Sequence, residues 1–144
     1  MPGERKDPYR NFRFRVEVEG IQQAGFSEVS GFDASLAIIE YREGNETITA
    51  RKLPGLAKYG NITLKWGVTD SLDMYTWMEE SIQGKISRKT VTIIAIDEEG
   101  GDVATWQIIE GWPSKYSAPN FNGTGSEVAI EFLELAHEGM TRTK

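Results

Sequence analysis

The sequence predicts a mainly β fold of two packed antiparallel sheets, a sandwich or barrel, with one flanking α-helix and a long extended hairpin arm. Short segments that alternate apolar and polar residues recur along the chain, and Phe12–Val18 is the clearest of them. Turn residues such as Gly, Asn and Pro separate these segments. One stretch, Leu72–Ile82, instead has apolar residues at helical spacing.

Three strands are predicted before the arm. In Phe12–Val18, apolar residues alternate with Arg and Glu, so one face is buried and the other is charged. An extended segment follows at Gln22–Val29, and Ser30-Gly31 predicts a turn or bulge. Leu36–Tyr41 is apolar on both faces, which indicates burial either in the core or against a partner.

The arm is the connection Arg42–Asn61, of about 20 residues, and a compact domain rarely carries such a connection without a use for it. Gly44-Asn45 predicts a tight hairpin turn, and Pro54-Gly55 brings the chain back. Glu46–Arg51 favours extended backbone, but Ile48 is its one strongly apolar residue. The connection is either a disordered insert or an arm that becomes ordered against a partner, and we favour the arm.

After the arm, Ile62, Leu64 and Trp66 alternate as a further strand. The helix is predicted to begin at an N-cap at Asp70 or Ser71 and to stop at Gly84. The remaining predicted segments are strand Ser87–Ile96, turn Asp97–Asp102, strand Val103–Glu110, loop Gly111–Gly125, strand Glu127–Leu135 and a polar tail from His137.

Length and composition predict one domain over residues 1–144, with residues 40–61 as a protruding arm and residues 1–8 and 139–144 as flexible tails. No apolar run is long enough for a transmembrane helix. The N-terminus lacks the apolar region of a secretory signal, so we expect synthesis in the cytoplasm. The absence of cysteine excludes disulfides, thiolate zinc sites and cysteine nucleophiles.

The net charge of −6 argues against a general nucleic-acid-binding surface. Residues 1–66 hold 10 basic and 9 acidic residues, a net of +1, whereas residues 67–144 hold 6 and 13, a net of −7. Copies of the chain could therefore attract one another head to tail, although chance scatter of surface charge gives the same counts.

No catalytic, cofactor-binding or metal-binding site is predicted. His137 is the single histidine and no nucleophile-elbow motif is present, so a structural hydrogen bond is favoured for it. Glu79-Glu80 and Glu98-Glu99 lie in solvated contexts rather than as a glycosidase pair, and Asp97–Asp102 lacks the spacing of a calcium loop. The four tryptophans lie in strand or helix patterns, which favours core or interface use over carbohydrate stacking.

From Asp7 to Gly139 the chain contains, in this order, DPYRNFRFRVEVEGI, GFSEVSGFD, IIEYREGNE, RKLPGLAKYGNITLKWG and EGWPSKYSAPNFNGTGSEVAIEFLELAHEG. Together these stretches resemble the inner-tube proteins of contractile phage tails and of extracellular contractile injection systems. The tube protein of type VI secretion is similar at a greater distance.

This resemblance implies a structural subunit that is not an enzyme and has no cofactor. Subunits of such tubes form hexameric rings in which the sheets of neighbours join around a lumen, and the rings stack into a hollow tube inside a contractile sheath. The implied partners are further copies of the chain, the sheath, the baseplate or spike, the tube terminator and luminal cargo. The implied location is a phage tail or a phage-tail-like particle.

The resemblance also assigns residues to contacts. It places a ring-stacking hairpin on residues 40–60, with secondary contacts at Asp7–Phe12 and after His137. The implied inter-ring contacts are Arg42, Glu43, Arg51, Lys52, Leu53, Pro54 and Tyr59. The implied sheet edges within a ring include Leu36, Ile38, Ile39, Val128, Ile130 and Phe132, and Glu127 and Glu131 are candidates for the lumen or the outer wall.

Two other functions stay open on the sequence. The first is a ring that initiates the tube at the baseplate, since such initiators resemble tube proteins. The second is a carbohydrate-binding β-sandwich.

Overall fold

The computed structural model describes residues 13–21, 25–42, 44, 50–121, 123 and 129–144. These residues form nine strands and one helix. The elements are β1 Arg13–Val18, β2 Phe26–Ser30, β3 Ala34–Tyr41, β4 Arg51–Tyr59, β5 Ile62–Gly67, α1 Asp73–Ile82, β6 Lys89–Ile96, β7 Asp102–Ser117, β8 Ile130–Ala136 and β9 Gly139–Arg142.

Seven strands form one antiparallel sheet in the order β1-β6-β7-β8-β5-β2, with β9 paired to β7. Strands β3 and β4 form a separate two-stranded sheet. The predicted mainly β fold with one helix is therefore confirmed for the described residues. The two packed layers of the predicted sandwich are the two halves of this seven-stranded sheet.

Strand β7 joins the two halves. Its first part pairs with β6 and β9, and its second part pairs with β8. A β-bulge between the halves contains Glu110, whose φ of 55° lies in the left-handed region. Such a bulge bends the strand, so the chain passes from one half of the sheet to the other without a loop.

The predicted loop Gly111–Gly125 is wrong over its first part, because β7 continues to Ser117. Gly and Pro made this stretch resemble a loop. Pro113 is fully buried, and it pairs with Leu135 in a part of β7 that has a described neighbour on one side. An edge position of this kind tolerates Pro, since no outward N–H is needed for pairing.

The hydrophobic core lies between the two halves of the sheet and the helix. One half contributes alternating side chains such as Val16 and Ile93, and the other contributes Leu64 and Leu133. The whole cluster is Val16, Val18, Ile62, Leu64, Trp66, Met74, Trp77, Val91, Ile93, Ile108, Leu133 and Leu135. Apolar residues with a period of two thus face inward, as the sequence predicts.

Helix α1 ends as predicted and begins later than predicted. Gly84 has a φ of 90°, its N–H donates to Ser81, and the Lys85 N–H donates to the Glu80 carbonyl, which together form a Schellman cap. The N-cap residue is Leu72, not Asp70 or Ser71. The Ser71 hydroxyl still accepts a hydrogen bond of 3.4 Å from the first helical N–H, so its capping role is displaced by one residue.

The expected polar tail is wrong for Gly139–Arg142, which is strand β9 beside β7. Gly139 is buried and Met140 packs against the core, so this short strand gains burial that its polar composition does not indicate. Residues 1–12, the second predicted strand before Gly25, and Glu127 and Val128 lie outside the described residues. No helix of the described chain has the length and hydropathy needed to cross a membrane.

Candidate functional site

Strands β3 and β4, here called the ribbon, lie outside the main sheet and expose apolar side chains. All eight residues of β3 are exposed, although four of its side chains are large and apolar. The exposed apolar residues of the ribbon are Leu36, Ile38, Ile39, Tyr41, Leu53 and Leu56, and Leu56 is 85% exposed. Contiguous apolar surface of this kind marks an interaction site on a folded domain.

Apolar side chains lie on both faces of the ribbon. Residues paired across antiparallel strands point to the same face. The pairs are Ile39↔Leu53 and Tyr41↔Arg51 on one face, and Leu36↔Ala57 and Ile38↔Pro54 on the other. A bulge opposite Ala37 adds one residue to β4, and Leu56 lies in it. The ribbon can therefore contact two separate surfaces, one with each face.

Glycine at position 55 keeps the two strands of the ribbon close. A Cβ atom there would lie 3.1 Å from the Ala37 Cβ and 3.3 Å from Ile39 Cγ1. The Pro54-Gly55 dipeptide, which is predicted to turn the chain back, is instead part of strand β4. The predicted arm instead continues as paired strand as far as Tyr59.

The base of the ribbon is fastened to the domain by hydrogen bonds. The Gly60 N–H donates to Asp33 Oδ1 at 3.0 Å and to the Asp33 carbonyl at 3.2 Å. The Gly60 carbonyl accepts a 2.9 Å hydrogen bond from Nε2 of His137, whose ring also contacts Tyr59. His137 therefore has a structural contact at the ribbon base, whereas its Nδ1 is buried without a hydrogen-bond partner in the described structure.

The two chain segments at the ribbon base also cross at very short range. A Cβ atom on Gly31 would lie 2.4 Å from the Asn61 carbonyl oxygen, and Gly31 has a φ of +86°. The Asn61 amide donates a 3.0 Å hydrogen bond to Glu134 of β8. Glycine is therefore needed at position 31 for both its backbone conformation and its lack of a side chain.

The predicted contact residues fall into different environments. Leu36, Ile38 and Ile39 are exposed on β3, and Arg51, Lys52, Leu53 and Pro54 are exposed on β4. Arg42 is exposed just after β3, Tyr59 is half-buried at the base, and Glu43 lies outside the described residues. The structure thus brings most of the predicted inter-ring and sheet-edge residues of this region together in one ribbon.

Phe132 does not lie at a sheet edge, since it pairs with Lys65 of β5 and Ser117 of β7, whereas Ile130 pairs with Gly67 of β5 and lies beyond the pairing with β7. Both residues belong to β8, which pairs with β5 on one side and with β7 on the other. Glu131 points to the opposite face of β8, the same face as the buried Leu133. Alternation in the sequence separates Ile130 and Phe132 from Glu131, but the buried face is that of Glu131, which also carries Leu133 and Leu135. The position of the strand inside the sheet depends on long-range pairing that alternation does not reveal.

Glu131 is bonded to Tyr116 at the mouth of a cleft beside helix α1. The Tyr116 hydroxyl donates a hydrogen bond to Glu131 Oε2. Burial, then this hydrogen bond and the charge of the carboxylate, raise the pKa of Tyr116 to about 12. Glu131 therefore takes part in a local polar contact on the core side of its strand, where the sequence suggested a lumen or outer wall.

Leu56 is not among the predicted contact residues. The sequence predicts that Pro54-Gly55 turns the chain back within the arm, and the apolar position directly after it receives no assignment. Its signal in the sequence is a large apolar side chain within a mostly polar arm.

The acidic turn at Asp97–Asp102 has a local structural role. Asp97 Oδ1 accepts hydrogen bonds from the N–H groups of Glu99 and Gly101, at 3.0 and 2.8 Å. Across the part of the chain that the structure describes, no group of three or more His, Cys, Asp or Glu residues has the arrangement of a metal site. This carboxylate therefore closes a hairpin turn.

A β domain with an exposed, two-faced apolar ribbon is typical of the structural subunits of larger assemblies. Comparison with family models gives that class a specific identity. Residues 10–141 match the model described as T4-like virus tail tube protein gp19, and the chain belongs to this family of tail tube proteins.

Solved structures of extracellular contractile injection systems are similar to this chain. A chain of the PVC sheath-tube complex in the extended state is 28% identical, with a TM-score of 0.85 over 94% of this chain and 91% of that one. A chain of the PVC sheath/tube terminator is also 28% identical, with a TM-score of 0.87 over 96% and 99%.

More distant structures share the fold alone. Hcp1 from Flavobacterium johnsoniae is 16% identical, with a TM-score of 0.64 over 90% of this chain and 94% of that one. Comparison with curated protein sequences gave no match.

Proposed function

We propose that this chain assembles into hexameric rings that stack into the hollow inner tube of a contractile injection apparatus. The sheath would surround this tube and propel it on contraction, and the lumen would hold or conduct cargo. The baseplate and a tube terminator would bound it at its ends. Rings close when a head-to-tail contact returns to its start, and stacking then extends them into a tube.

The ribbon is the observation that carries this proposal. Its six large apolar residues are exposed in the single chain, and its two faces offer separate surfaces to neighbours. An isolated two-stranded sheet is marginal in water, so a ribbon of this length needs a partner to bury it. Membership of the tail tube family and the 28% identity to chains of the PVC complexes support further copies of the chain as that partner.

The assembly itself is tested by negative-stain electron microscopy and analytical ultracentrifugation of the purified chain at rising concentration. We expect rings and tubes. A protein that stays monomeric at high concentration would refute the proposal. Single rings that never lengthen would instead indicate a tube initiator.

The contribution of the ribbon is tested by two matched substitutions. Ile38→Ser removes an apolar side chain that is 65% exposed on the ribbon, and Ile82→Ser removes one that is 72% exposed at the end of α1. Both positions face solvent in the single chain, so both variants should fold. We expect Ile38→Ser to impair tube formation and Ile82→Ser to leave it near normal. Equal behaviour of the two variants would contradict the ribbon as the assembly surface.

A further inference from the structure

An apolar cleft with a volume of about 280 Å³ lies between the start of α1 and the half of the sheet that contains β8. Its lining includes the buried Trp66 and Met74 and the exposed Val68 and Leu72. A cavity of about 150 Å³ is enough to bind benzene, so the cleft has room for one branched aliphatic side chain. Leu72 is 66% exposed, which leaves apolar surface at the mouth of the cleft uncovered.

One wall of the cleft is aromatic and held in place. Tyr75 and Tyr116 pack edge to face with ring centroids 5.2 Å apart. The hydrogen bond from Tyr116 to Glu131 fixes the second ring. The cleft is therefore formed in the single chain and does not require rearrangement to accept a side chain.

The surroundings of the cleft are acidic. The segment 66–84, which supplies most of its lining, contains four acidic residues and no basic residue. Glu131 of β8 is the carboxylate in the lining itself, whereas Asp73, in the first turn of α1, lines a neighbouring cavity with Glu80 and Lys89. A partner that presents an apolar side chain between basic residues would match this surface in both hydropathy and charge.

Strand β4 of the ribbon has this composition. It contains three basic residues, Arg51, Lys52 and Lys58, and no acidic residue. Leu56 lies between them in the bulge and is 85% exposed. This exposure shows that Leu56 does not occupy the cleft of its own chain, so a second copy is needed to bring the two surfaces together.

We propose that Leu56 in the ribbon of one copy inserts into the cleft beside α1 of a neighbouring copy. The inference rests on the proposed tube assembly and names the surface that receives the ribbon. The apolar side chain fills the cleft, and the flanking lysines and arginine of β4 lie against the carboxylates around it. Attraction between these charges fixes which way the ribbon enters.

Charge substitutions at position 56 separate this contact from simple loss of an apolar residue. Leu56→Asp and Leu56→Lys both remove the leucine, but only aspartate is repelled by the acidic cleft. At low salt we expect Leu56→Asp to raise the concentration needed for assembly by about tenfold more than Leu56→Lys, with a smaller gap at high salt because the charges are screened. Phe121→Asp, at a residue that is 86% exposed elsewhere, is the control and should assemble normally.

Disulfide crosslinking then identifies the receiving surface. The chain contains no cysteine, so each variant carries a single reactive position, and each variant oxidised alone shows the crosslinks between identical positions. Leu56→Cys protein is mixed with Leu72→Cys protein, assembled and oxidised, and the matched mixture replaces Leu72→Cys with Ile82→Cys. We expect a crosslinked dimer from the first mixture and little from the second, because a disulfide needs Cα atoms roughly 4.4–6.8 Å apart.

The outcomes separate this inference from the proposed function. Tubes could form without a crosslink preference for position 72, or with equal effects of aspartate and lysine at position 56. Either result would refute the cleft as the binding site of Leu56 and leave the tube proposal standing. Failure of the unsubstituted protein to assemble under any condition would overturn both.

Discussion

Substitution of Gly31 by alanine tests how the ribbon is attached to the domain. A left-handed backbone conformation costs an L-residue about 1–2 kcal/mol relative to glycine. In addition, the new Cβ would lie 2.4 Å from a backbone carbonyl oxygen, that of Asn61, so the chain itself must move. Overpacking of this kind typically costs roughly 1–3 kcal/mol, so the free energy of unfolding should fall by about 2–5 kcal/mol in total.

Gly100 provides the matched control, because its φ of +89° is similar and a Cβ atom there meets nothing within 4 Å. Gly100→Ala should therefore lose only the conformational part, about 1–2 kcal/mol. The two variants should differ by about 1–3 kcal/mol, which for a chain of this size corresponds to a difference in Tm of roughly 2–12 °C.

The assay is equilibrium unfolding in urea at a protein concentration below assembly, followed by tryptophan fluorescence. Trp66 and Trp77 are each 2% exposed, so their emission reports loss of the core. Gly31→Ala should unfold at lower urea than Gly100→Ala with a similar slope. Equal losses in the two variants would refute the close crossing of Gly31 and Asn61 at the ribbon base.

Three further substitutions test other contacts. His137→Ala removes the hydrogen bond to the Gly60 carbonyl and should lower the free energy of unfolding by about 1–2 kcal/mol in the urea assay; no loss would contradict the ribbon anchor. Trp77→Phe removes the indole N–H that donates to a backbone carbonyl at 2.8 Å and should cost at least about 1 kcal/mol, whereas an unchanged midpoint would count against that bond. The pKa of Tyr116 is raised to about 12 from its ordinary value near 10, so the folded state favours the neutral phenol; stability should be fully present below pH 10 and fall as the pH rises from 10 to 12. Tyr116→Phe removes the titrating phenol and should weaken that fall, and an identical pH profile would refute the half-buried Tyr116 as its source.

Local patterns in the sequence were sufficient to predict the elements that depend on residues close together in the chain. Alternation in Val16 and Val18 and in Ile62 to Trp66 predicts inward-facing strand positions, and the core contains them. In β8 the buried residues are instead Leu133 and Leu135, on the face that also carries Glu131. Gly84 ends the helix because only a left-handed residue completes its cap. These features depend on residues within a few positions of one another.

The features that the sequence did not predict depend on distant partners. Gly111–Ser117 contains the residues of a loop and becomes strand because β8 pairs with it. Gly139–Arg142 is polar and short, and becomes strand because β7 offers an edge. Alternation shows which residues of β8 share a face, but it cannot show that β5 and β7 flank that strand.

Length and turn residues predict an arm that needs a partner at residues 42–61, and its contacts stay a prediction. Its apolar character was underestimated, because Leu36–Tyr41 was treated as a core or partner strand separate from the arm. The register pairs these residues with Arg51–Tyr59, so the apolar strand and the second half of the arm form one two-stranded sheet.

The ribbon precedes β9 by a long stretch of chain, and this order has a consequence for biosynthesis. The ribbon ends at Tyr59, and Gly139, where β9 begins, is 80 positions further along the chain. At about 5–20 residues per second, a ribosome needs roughly 4–16 s to cover that distance. During those seconds the apolar faces of the ribbon are uncovered, as they are in the single chain, and β9 has not yet been made. Neighbouring nascent chains on one messenger could therefore meet through their ribbons too early, and a chaperone that covers aliphatic strands would protect the ribbon until a complete neighbouring copy binds it.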